Sequence, residues 1–166
     1  MSNPPQPERE SRAPEPLEED DERPERSPER VQAALDELAA FLRAGASAGC
    51  QRVDLTARMV ADLAEADVFE SLADGSTGPA AVDEPRLFEL VREVREADYD
   101  PDEDGAWFSL RLYVPPEGDC WMAVNHFWEP SWRVPPPDEK YREDLDRYPR
   151  EYSELPDWLS AKAPDA

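Results

Sequence analysis

The sequence has few of the residues that catalysis and metal binding use most. It contains one histidine, two cysteines and six glycines in 166 residues. Two cysteines are too few for a disulfide scaffold and are typical of a reducing compartment. Cys120 and His126 lie on one predicted strand, about 20 Å apart end to end, too far for a nucleophile–base pair. With no glycine-rich phosphate loop either, we expect a non-enzyme with no catalytic residue, no cofactor and no metal site.

Basic residues and long apolar runs are also scarce. The chain has 18 Lys and Arg against 40 Asp and Glu, a formal net charge of −22. Such a surface repels phosphate, which argues against nucleic acid and anionic lipid as partners. No run of about 18 apolar residues and no basic-then-apolar signal segment is present. We therefore expect a cytoplasmic protein with no membrane segment and a basic protein partner.

The N-terminal segment differs from the rest in composition. Residues 1–30 hold seven of the 19 prolines and ten acidic residues, and Leu17 is their only sizeable aliphatic side chain. Burial in such a segment cannot offset the entropy lost on ordering. The predicted organisation is a disordered, acidic tail over 1–27, a single domain over 28–159, and a flexible C-terminus over 160–166.

Three helices are predicted from capping residues and apolar spacing. Ser27 before Pro28 is an N-cap followed by proline in the first turn, and Asp83 and Asp138 are predicted N-caps too. Apolar residues recur every three or four positions after each of them. The predicted helices cover residues 28–44, 84–97 and 138–148. After them, Trp158 is predicted to anchor a docked C-terminal segment.

Two stretches predict strands. Residues 107–114 alternate apolar and polar, residues 115–119 have turn composition, and 120–127 form a partner strand, so the three together predict a hairpin. Residues 49–73 fit two patterns. They alternate over many positions as in a strand, but Leu55, Met59 and Leu63 are four apart as on a helix. The length of the alternation favours the strand.

An acidic turn is predicted between the second helix and the hairpin, over residues 99–105. Asp100, Asp102 and Asp104 followed by Gly105 begin like a calcium-binding loop. The twelfth position of such a loop requires a bidentate glutamate, and Arg111 stands there instead. The spacing therefore predicts a solvated acidic turn rather than a calcium site.

Aromatic residues are concentrated in the second half of the chain, where all five tryptophans lie between positions 107 and 158. Along the predicted hairpin, Trp121 and Phe127 alternate with Met122, Val124 and His126. Both hairpin faces are thus apolar and predicted to be covered, by a helix or by another molecule. Core packing is the default expectation for this aromatic cluster, which comprises Trp107, Trp121, Phe127, Trp128 and Trp132. Aromatic residues exposed beside carboxylates would instead be typical of an interface with a basic partner.

Two segments resemble the YezG-like immunity proteins of bacteria. They are the run Gly105-Ala106-Trp107-Phe108-Ser109 and the stretch from Tyr141 to Trp158. An Asn-Tyr-Asp-Asp-Glu-Pro-x-Trp-like run of that family is similar to residues 125–132, with matches at Asn125, Glu129, Pro130 and Trp132. Phe127 and Trp128 replace two acidic positions. The likeness covers about 49–159 in element order, and its specific residues lie in 105–159.

The resemblance implies strands for residues 49–73 and an α+β fold, an antiparallel sheet of hairpins flanked by helices. It also implies an immunity protein that binds and neutralises a cognate polymorphic toxin, often a nuclease, inside the producing cell. The alternative is an acidic, non-catalytic scaffold or adaptor that recruits a basic protein. The candidate partner-binding residues are Asp98, Asp100, Asp102, Glu103, Asp104, Trp128, Glu129 and Trp132.

Overall fold

A five-stranded antiparallel sheet organises the computed structural model, which describes residues 23–150 and 155–166. The elements in chain order are α1 (Pro28–Gly45), β1 (Cys50–Val60), β2 (Leu63–Leu72), β3 (Thr77–Pro79), α2 (Glu84–Asp98), β4 (Ser109–Val114), β5 (Trp121–Asn125), α3 (Asp138–Arg147) and α4 (Asp157–Lys162). The strand order is β3-β2-β1-β4-β5, and all four pairings are antiparallel. The predicted α+β class is confirmed.

The helices begin close to the positions that the sequence predicts. Ser27 caps α1, since its hydroxyl accepts a hydrogen bond from the Arg30 amide at 3.2 Å. Asp83 occupies the N-cap of α2 but its side chain makes no capping hydrogen bond. In α3 the N-cap is Pro137 and Asp138 is the first helical residue, one position from the prediction. Within the described ranges, no helix is long and apolar enough to cross a membrane.

The stretch with two competing patterns forms the β1–β2 hairpin, so the strand prediction is confirmed. The hairpin turns at Ala61, which has a positive φ of 49°. The alternating apolar residues of β1 are buried on one sheet face: Val53, Leu55, Ala57 and Met59. A spacing of four is a multiple of two, so residues on one strand face can also match a helical repeat.

The two faces of the sheet differ in what covers them. The apolar sides of α1 and α2 pack on one face and form the main core with β1, β4 and Trp107. The opposite face carries the polar halves of the strands, and Trp121 there is 52% exposed. Within the described ranges, no helix covers this second face of the β4–β5 hairpin. The segment after β5 crosses part of this face, where the Arg133 amide donates to Glu65 and its guanidinium to the Ala66 carbonyl, while Trp121 stays exposed among the described residues.

A second apolar cluster closes one end of the sheet and joins it to α3 and α4. Trp158 lies at its edge, with its ring 5.3 Å from that of Phe108 and 5.7 Å from that of Tyr141. Its indole N–H donates to the Phe127 carbonyl at 2.7 Å. The predicted anchor is therefore confirmed. Ala163 is buried in the same cluster, which differs from a flexible terminus starting at residue 160.

A buried ion pair links the helices to the sheet. The side chains of Arg95 in α2 and Asp144 in α3 are 0% and 2% exposed. Two guanidinium nitrogens of Arg95 donate to the two carboxylate oxygens of Asp144 at 2.7 and 2.9 Å. The third nitrogen donates to the Trp107 carbonyl at 2.7 Å, and Asp144 also accepts from the Ala61 amide at 2.6 Å. One charge pair thus ties together two helices, the β1–β2 turn and the approach to β4.

The segment before α1 contacts the domain as far back as the structure describes it. Arg26 donates two hydrogen bonds to the buried carboxylate of Asp98, at 2.9 and 3.0 Å. The guanidinium of Arg23 lies over the rings of Tyr99 and Tyr148. These contacts differ from the prediction of a disordered tail through residue 27. Residues 1–22, the rest of that prediction, lie outside the described residues.

Breaking the buried pair should destabilise the fold strongly. We expect Asp144→Asn, which keeps an acceptor for the Ala61 amide, to cost about 3–5 kcal/mol, because Arg95 is left charged and buried. Arg95→Met in the same chain should recover part of that loss by removing the orphaned charge. Urea denaturation of Asp144→Asn, Arg95→Met and the double variant tests this. Glu89→Gln, which breaks an exposed pair with Arg86, is the control and should change stability by less than about 1 kcal/mol. Strictly additive effects at positions 95 and 144 would contradict the role of the pair.

Two N-terminal truncations should separate the tail from the segment that contacts the domain. A chain that starts at Arg23 should keep its stability, since the removed composition offers little to bury. A chain that starts at Ser27 loses Arg26 and leaves the Asp98 carboxylate buried without it, which should cost about 1–3 kcal/mol. Thermal denaturation of both chains measures the difference. Equal melting temperatures would show that the Arg26–Asp98 contact adds nothing.

Candidate functional site

Two loops meet at one end of β4 and β5 and form the candidate site. They are the acidic turn, residues 99–105, and the loop that leaves β5, residues 126–132. Arg150 joins them, because its guanidinium donates to the His126 carbonyl at 2.9 Å and to the Ala106 carbonyl at 2.8 Å. Burial lowers the pKa of Arg150 to about 10, so the side chain stays charged at neutral pH. We call this region the loop corner.

The acidic turn is stabilised from within. The Asp100 carboxylate accepts from the Asp102 amide at 2.9 Å, and the Asp100 carbonyl accepts from the Gly105 amide at 3.0 Å. This leaves three exposed acidic residues at the tip, Asp102, Glu103 and Asp104. Among the described residues, no group of His, Cys, Asp and Glu is arranged to hold a metal ion. The turn is thus built to present carboxylates to the outside.

Asp98 does not belong to the exposed surface that the sequence predicts. It is the last residue of α2, it is buried, and its carboxylate is paired with Arg26. Local sequence carries no sign of this pairing, because Arg26 falls in the segment whose composition predicts disorder. Asp98 helps to hold the N-terminal segment in place and offers no free charge to a partner.

The second loop presents one large aromatic side chain on a fixed backbone. The Asn125 side chain accepts from the amides of Phe127 and Trp128 and donates to the Trp128 carbonyl at 2.8 Å. Trp158 holds the same loop through the Phe127 carbonyl. The backbone around Trp128 is therefore well supported, while its ring is 78% exposed. A rigid, exposed tryptophan of this kind is suited to anchor a partner.

The other two residues predicted on this loop have different environments. Trp132 packs against the second apolar cluster, so most of its role is structural and it is not the exposed anchor that the sequence predicts. Glu129 is half-exposed, and its carboxylate lies 3.3 Å from the Lys162 ammonium. The exposed candidates that remain are Asp102, Glu103, Asp104 and Trp128, with Asp100 half-exposed beneath them and Glu129 beside them.

The pair of possible reactive residues is not brought together. Cys120 lies near the opposite end of β5, where Arg43 donates to its sulfur at 3.7 Å, and burial raises the pKa of its thiol. A raised pKa keeps the thiol protonated and a poor nucleophile. His126 lies in the loop corner. Burial lowers the pKa of its imidazole, and the negative charge of Asp104 raises it and so offsets part of that effect. The influence of Asp104 on His126 also reflects how close the acidic turn lies to the second loop.

Sequence reasoning missed the residues that hold the loop corner together. Arg95 follows Val91 by four positions on the apolar stripe of α2, and this spacing was the available signal for its burial. Arg150 had no such signal, since it follows a helix and contacts carbonyls 24 and 44 residues earlier in the chain. Contacts of that sequence separation follow from the tertiary fold alone.

The close contact between Gly105 and Arg150 gives a test of the loop corner. Gly105 has a φ of 72°, and a Cβ there would lie 2.6 Å from the Arg150 side chain. Gly105→Ala should destabilise the chain through backbone strain and also displace Arg150 from the loops it joins. Gly118→Ala is a matched control, because Gly118 has a φ of 86° and a Cβ there would meet nothing within 4 Å. We expect the Gly105 variant to lose about 1–2 kcal/mol more than the control in chemical denaturation. An equal loss would mean that strain alone acts at Gly105.

Comparisons with known proteins do not assign the chain to a group. The function of the chain is inferred below from the geometry of the loop corner and from the likeness of residues 105–159 to the immunity proteins named in the sequence analysis. No protein-family model matches the chain, and no curated protein matches it.

Proposed function

We propose that this chain is an immunity protein, a non-catalytic inhibitor that binds and neutralises a cognate toxin in the cytoplasm of the producing cell. Its partner is a basic toxin domain, with a nuclease as the leading class. The observation that carries the proposal is the arrangement of the loop corner, where the exposed ring of Trp128 lies on a supported loop beside the acidic turn.

The loop corner has the components of a protein interface. Tryptophan is among the side chains that contribute most when an interface forms, and carboxylates around it select a basic partner. Asn125, Arg150 and Trp158 fix the backbone before any partner binds. A surface fixed in advance loses less conformational entropy on association, so more of the contact energy remains as affinity.

The residues that carry the family resemblance meet in this same corner. Gly105 begins the Gly-Ala-Trp-Phe-Ser run and touches Arg150, which follows Tyr148 and Pro149. Asn125, the first residue of the 125–132 run, donates to the Ser109 hydroxyl at 3.3 Å. Trp158 reaches the same loop through Phe127. These residues therefore act together as one framework that holds the loop of Trp128.

The charge of the chain supports a partner that normally binds phosphate. A nuclease carries a basic surface where its substrate lies, and an inhibitor competes there most directly with carboxylates. The formal net charge of −22 would steer such a partner toward the chain over long distances. Asp102, Glu103 and Asp104 then supply local negative charge beside the aromatic anchor.

The direct test is co-expression with the variable C-terminal domain of a large secreted protein encoded beside this chain's gene. The proposal predicts that the chain restores growth and forms a stable complex with that domain. A chain that starts at Arg23 should protect equally well. Protection by the full chain alone would favour the alternative, an acidic scaffold or adaptor that recruits through its tail. No protection by a folded, expressed chain would refute the immunity proposal.

The kinetics of that complex should separate the acidic turn from the aromatic anchor. Neutralising Asp102, Glu103 and Asp104 to Asn, Gln and Asn should slow association and flatten its salt dependence, because charges act mainly on the encounter step. Trp128→Ala should instead raise the dissociation rate, with a loss of about 2 kcal/mol or more in binding free energy. Surface plasmon resonance at two salt concentrations gives both rates.

Matched controls keep this experiment specific. Neutralising Asp36, Glu117 and Asp119 makes the same change in net charge near Cys120, at the far end of the β4–β5 hairpin. This control should reduce the association rate less than the turn variant. Equal slowing would mean that only the net charge matters. Trp128→Ala should keep the wild-type melting temperature, and a lower melting temperature without faster dissociation would place Trp128 in the core.

A further inference from the structure

The sheet face opposite α1 and α2 carries a row of aromatic side chains. The strand register places Phe69, Asp54, Tyr113 and Trp121 side by side across β2, β1, β4 and β5. Phe69 is 46% exposed and Trp121 52% exposed. The rings of Tyr113 and Trp121 stack with centroids 4.8 Å apart, and the Arg52 guanidinium lies 4.9 Å from the Tyr113 ring centre. Tyr113 and Trp121 therefore form a two-ring aromatic band, and Asp54, paired with Arg52, lies between this band and Phe69.

One arginine of this face lacks the acidic partner that the others have. Arg52 pairs with Asp54 at 2.6 Å, Arg58 with Asp67 at 2.8 Å, and Arg133 with Asp67 at 3.1 Å. Arg111 lies in the middle of β4, it is exposed, and it makes no ion pair with any residue that the structure describes. Arg30, Arg43, Arg92 and Arg150 also make no ion pair with a described residue, but Arg111 differs from them in lying in the middle of a strand with its side chain exposed.

Arg111 lines a groove of about 230 Å³ whose other walls are mostly uncharged. Its floor comes from Thr56, Ser109, Ala123 and Asn125, and one wall is the segment at Pro130 and Ser131. That wall is fixed, because the Glu65 carboxylate accepts hydrogen bonds from the backbone amides of residues 133 and 134, each at 2.9 Å. Neutral donors and acceptors around an arginine that no described carboxylate pairs with favour one anionic group in the groove.

We infer that this face is a second interaction surface, which binds a protein segment that presents a carboxylate to Arg111 and an apolar side chain to the band of Tyr113 and Trp121. The guanidinium binds a carboxylate through two parallel hydrogen bonds, which fixes orientation as well as charge. Tyr113 lies two residues from Arg111 on the same strand face, so one short segment reaches both. Arginine, tyrosine and tryptophan are the residue types most enriched where interfaces bind tightly.

Charge and shape favour a protein segment in this groove over a second copy of the chain, a nucleic acid or free phosphate. A second copy of the chain would bring another net charge of −22, and the two copies would repel. Nucleic acid and a generally acidic protein are disfavoured on the same ground, so the proposed segment carries a single carboxylate in otherwise uncharged surroundings. The flanking aromatic band is suited to side chains, whereas free phosphate makes no use of it. This inference does not rest on the toxin proposal, since it concerns a contact of opposite charge at Arg111, and the two surfaces share the loop after β5, which supplies the groove wall at Pro130 and Ser131.

Nuclear magnetic resonance with two short peptides tests the inference. The probe is acetyl-Leu-Glu-Leu-amide, and acetyl-Leu-Gln-Leu-amide is the matched control without the charge. We expect the glutamate peptide to shift the Arg111 Nε–H signal and the Ser109 and Ala123 amides saturably. The glutamine peptide should bind about tenfold more weakly, as expected when a charge-assisted hydrogen-bond pair is lost.

Variants assign the two parts of the surface. Arg111→Gln should reduce binding of the glutamate peptide to the level of the control peptide, without a change in melting temperature, since Arg111 is exposed and unpaired among the described residues. Arg52→Gln, at an arginine that already has a partner, should have a smaller effect. Trp121→Ala should weaken both peptides equally. Equal binding of the two peptides, no saturable shift at Arg111, or tighter binding of inorganic phosphate at the same signals would each overturn the inference.

Discussion

The buried pair of Arg95 and Asp144 is the interaction on which the rest of the structure depends. Two buried charges are costly, and they persist here because each guanidinium nitrogen of Arg95 and each carboxylate oxygen of Asp144 has a hydrogen-bond partner. The pair fixes α3 against α2 and holds the strained β1–β2 turn through Ala61. By binding the Trp107 carbonyl, Arg95 also sets where β4 begins, and therefore where the acidic turn before it ends. The position of the loop corner therefore depends on this pair.

Arginine has a recurring role as a link between loops in this chain. Arg150 joins the acidic turn to the loop after β5, Arg43 joins α1 to the carbonyls of Pro115 and Gly118, and Arg95 joins helix to strand. Guanidinium suits this role, because it stays charged when buried and donates in several directions. Because these arginines donate to backbone carbonyls or lie in the interior, they neutralise little of the negative charge on the protein surface. The acidic turn is consequently free to act on a partner.

The two proposed surfaces bind groups of opposite charge: the loop corner binds a basic surface, and the groove at Arg111 binds a carboxylate. This difference affects which partners the protein selects. A strongly acidic protein attracts any basic protein, so attraction alone distinguishes partners poorly. A contact that requires a carboxylate at Arg111 rejects partners that are basic everywhere. The loop corner and the groove share the segment that leaves β5, because Asn125 supports the loop of Trp128 and also lines the groove together with Pro130 and Ser131. Aromatic anchors occur at each, Trp128 in the first and Trp121 in the second.

Local sequence was enough to predict α1, α2, α3 and the β4–β5 hairpin, because helix caps, alternation and turn composition act within a few residues of one another. It did not predict β3, α4 or the turn between β1 and β2. Ser27 and Pro28 start α1, and the alternation in β1 persists because one face of that strand is buried. The sequence also predicted the acidic turn, but for Trp128 it left open an interface anchor or a core position. Only the tertiary structure decided which acidic residues are free: Asp98 is buried against Arg26, and Trp132 packs into a cluster. It also decided that Arg95 meets Asp144 across 49 residues and that Arg111 meets no acidic residue among those described. Such outcomes depend on which distant segments become neighbours, and desolvation and charge pairing act only once the chain has folded.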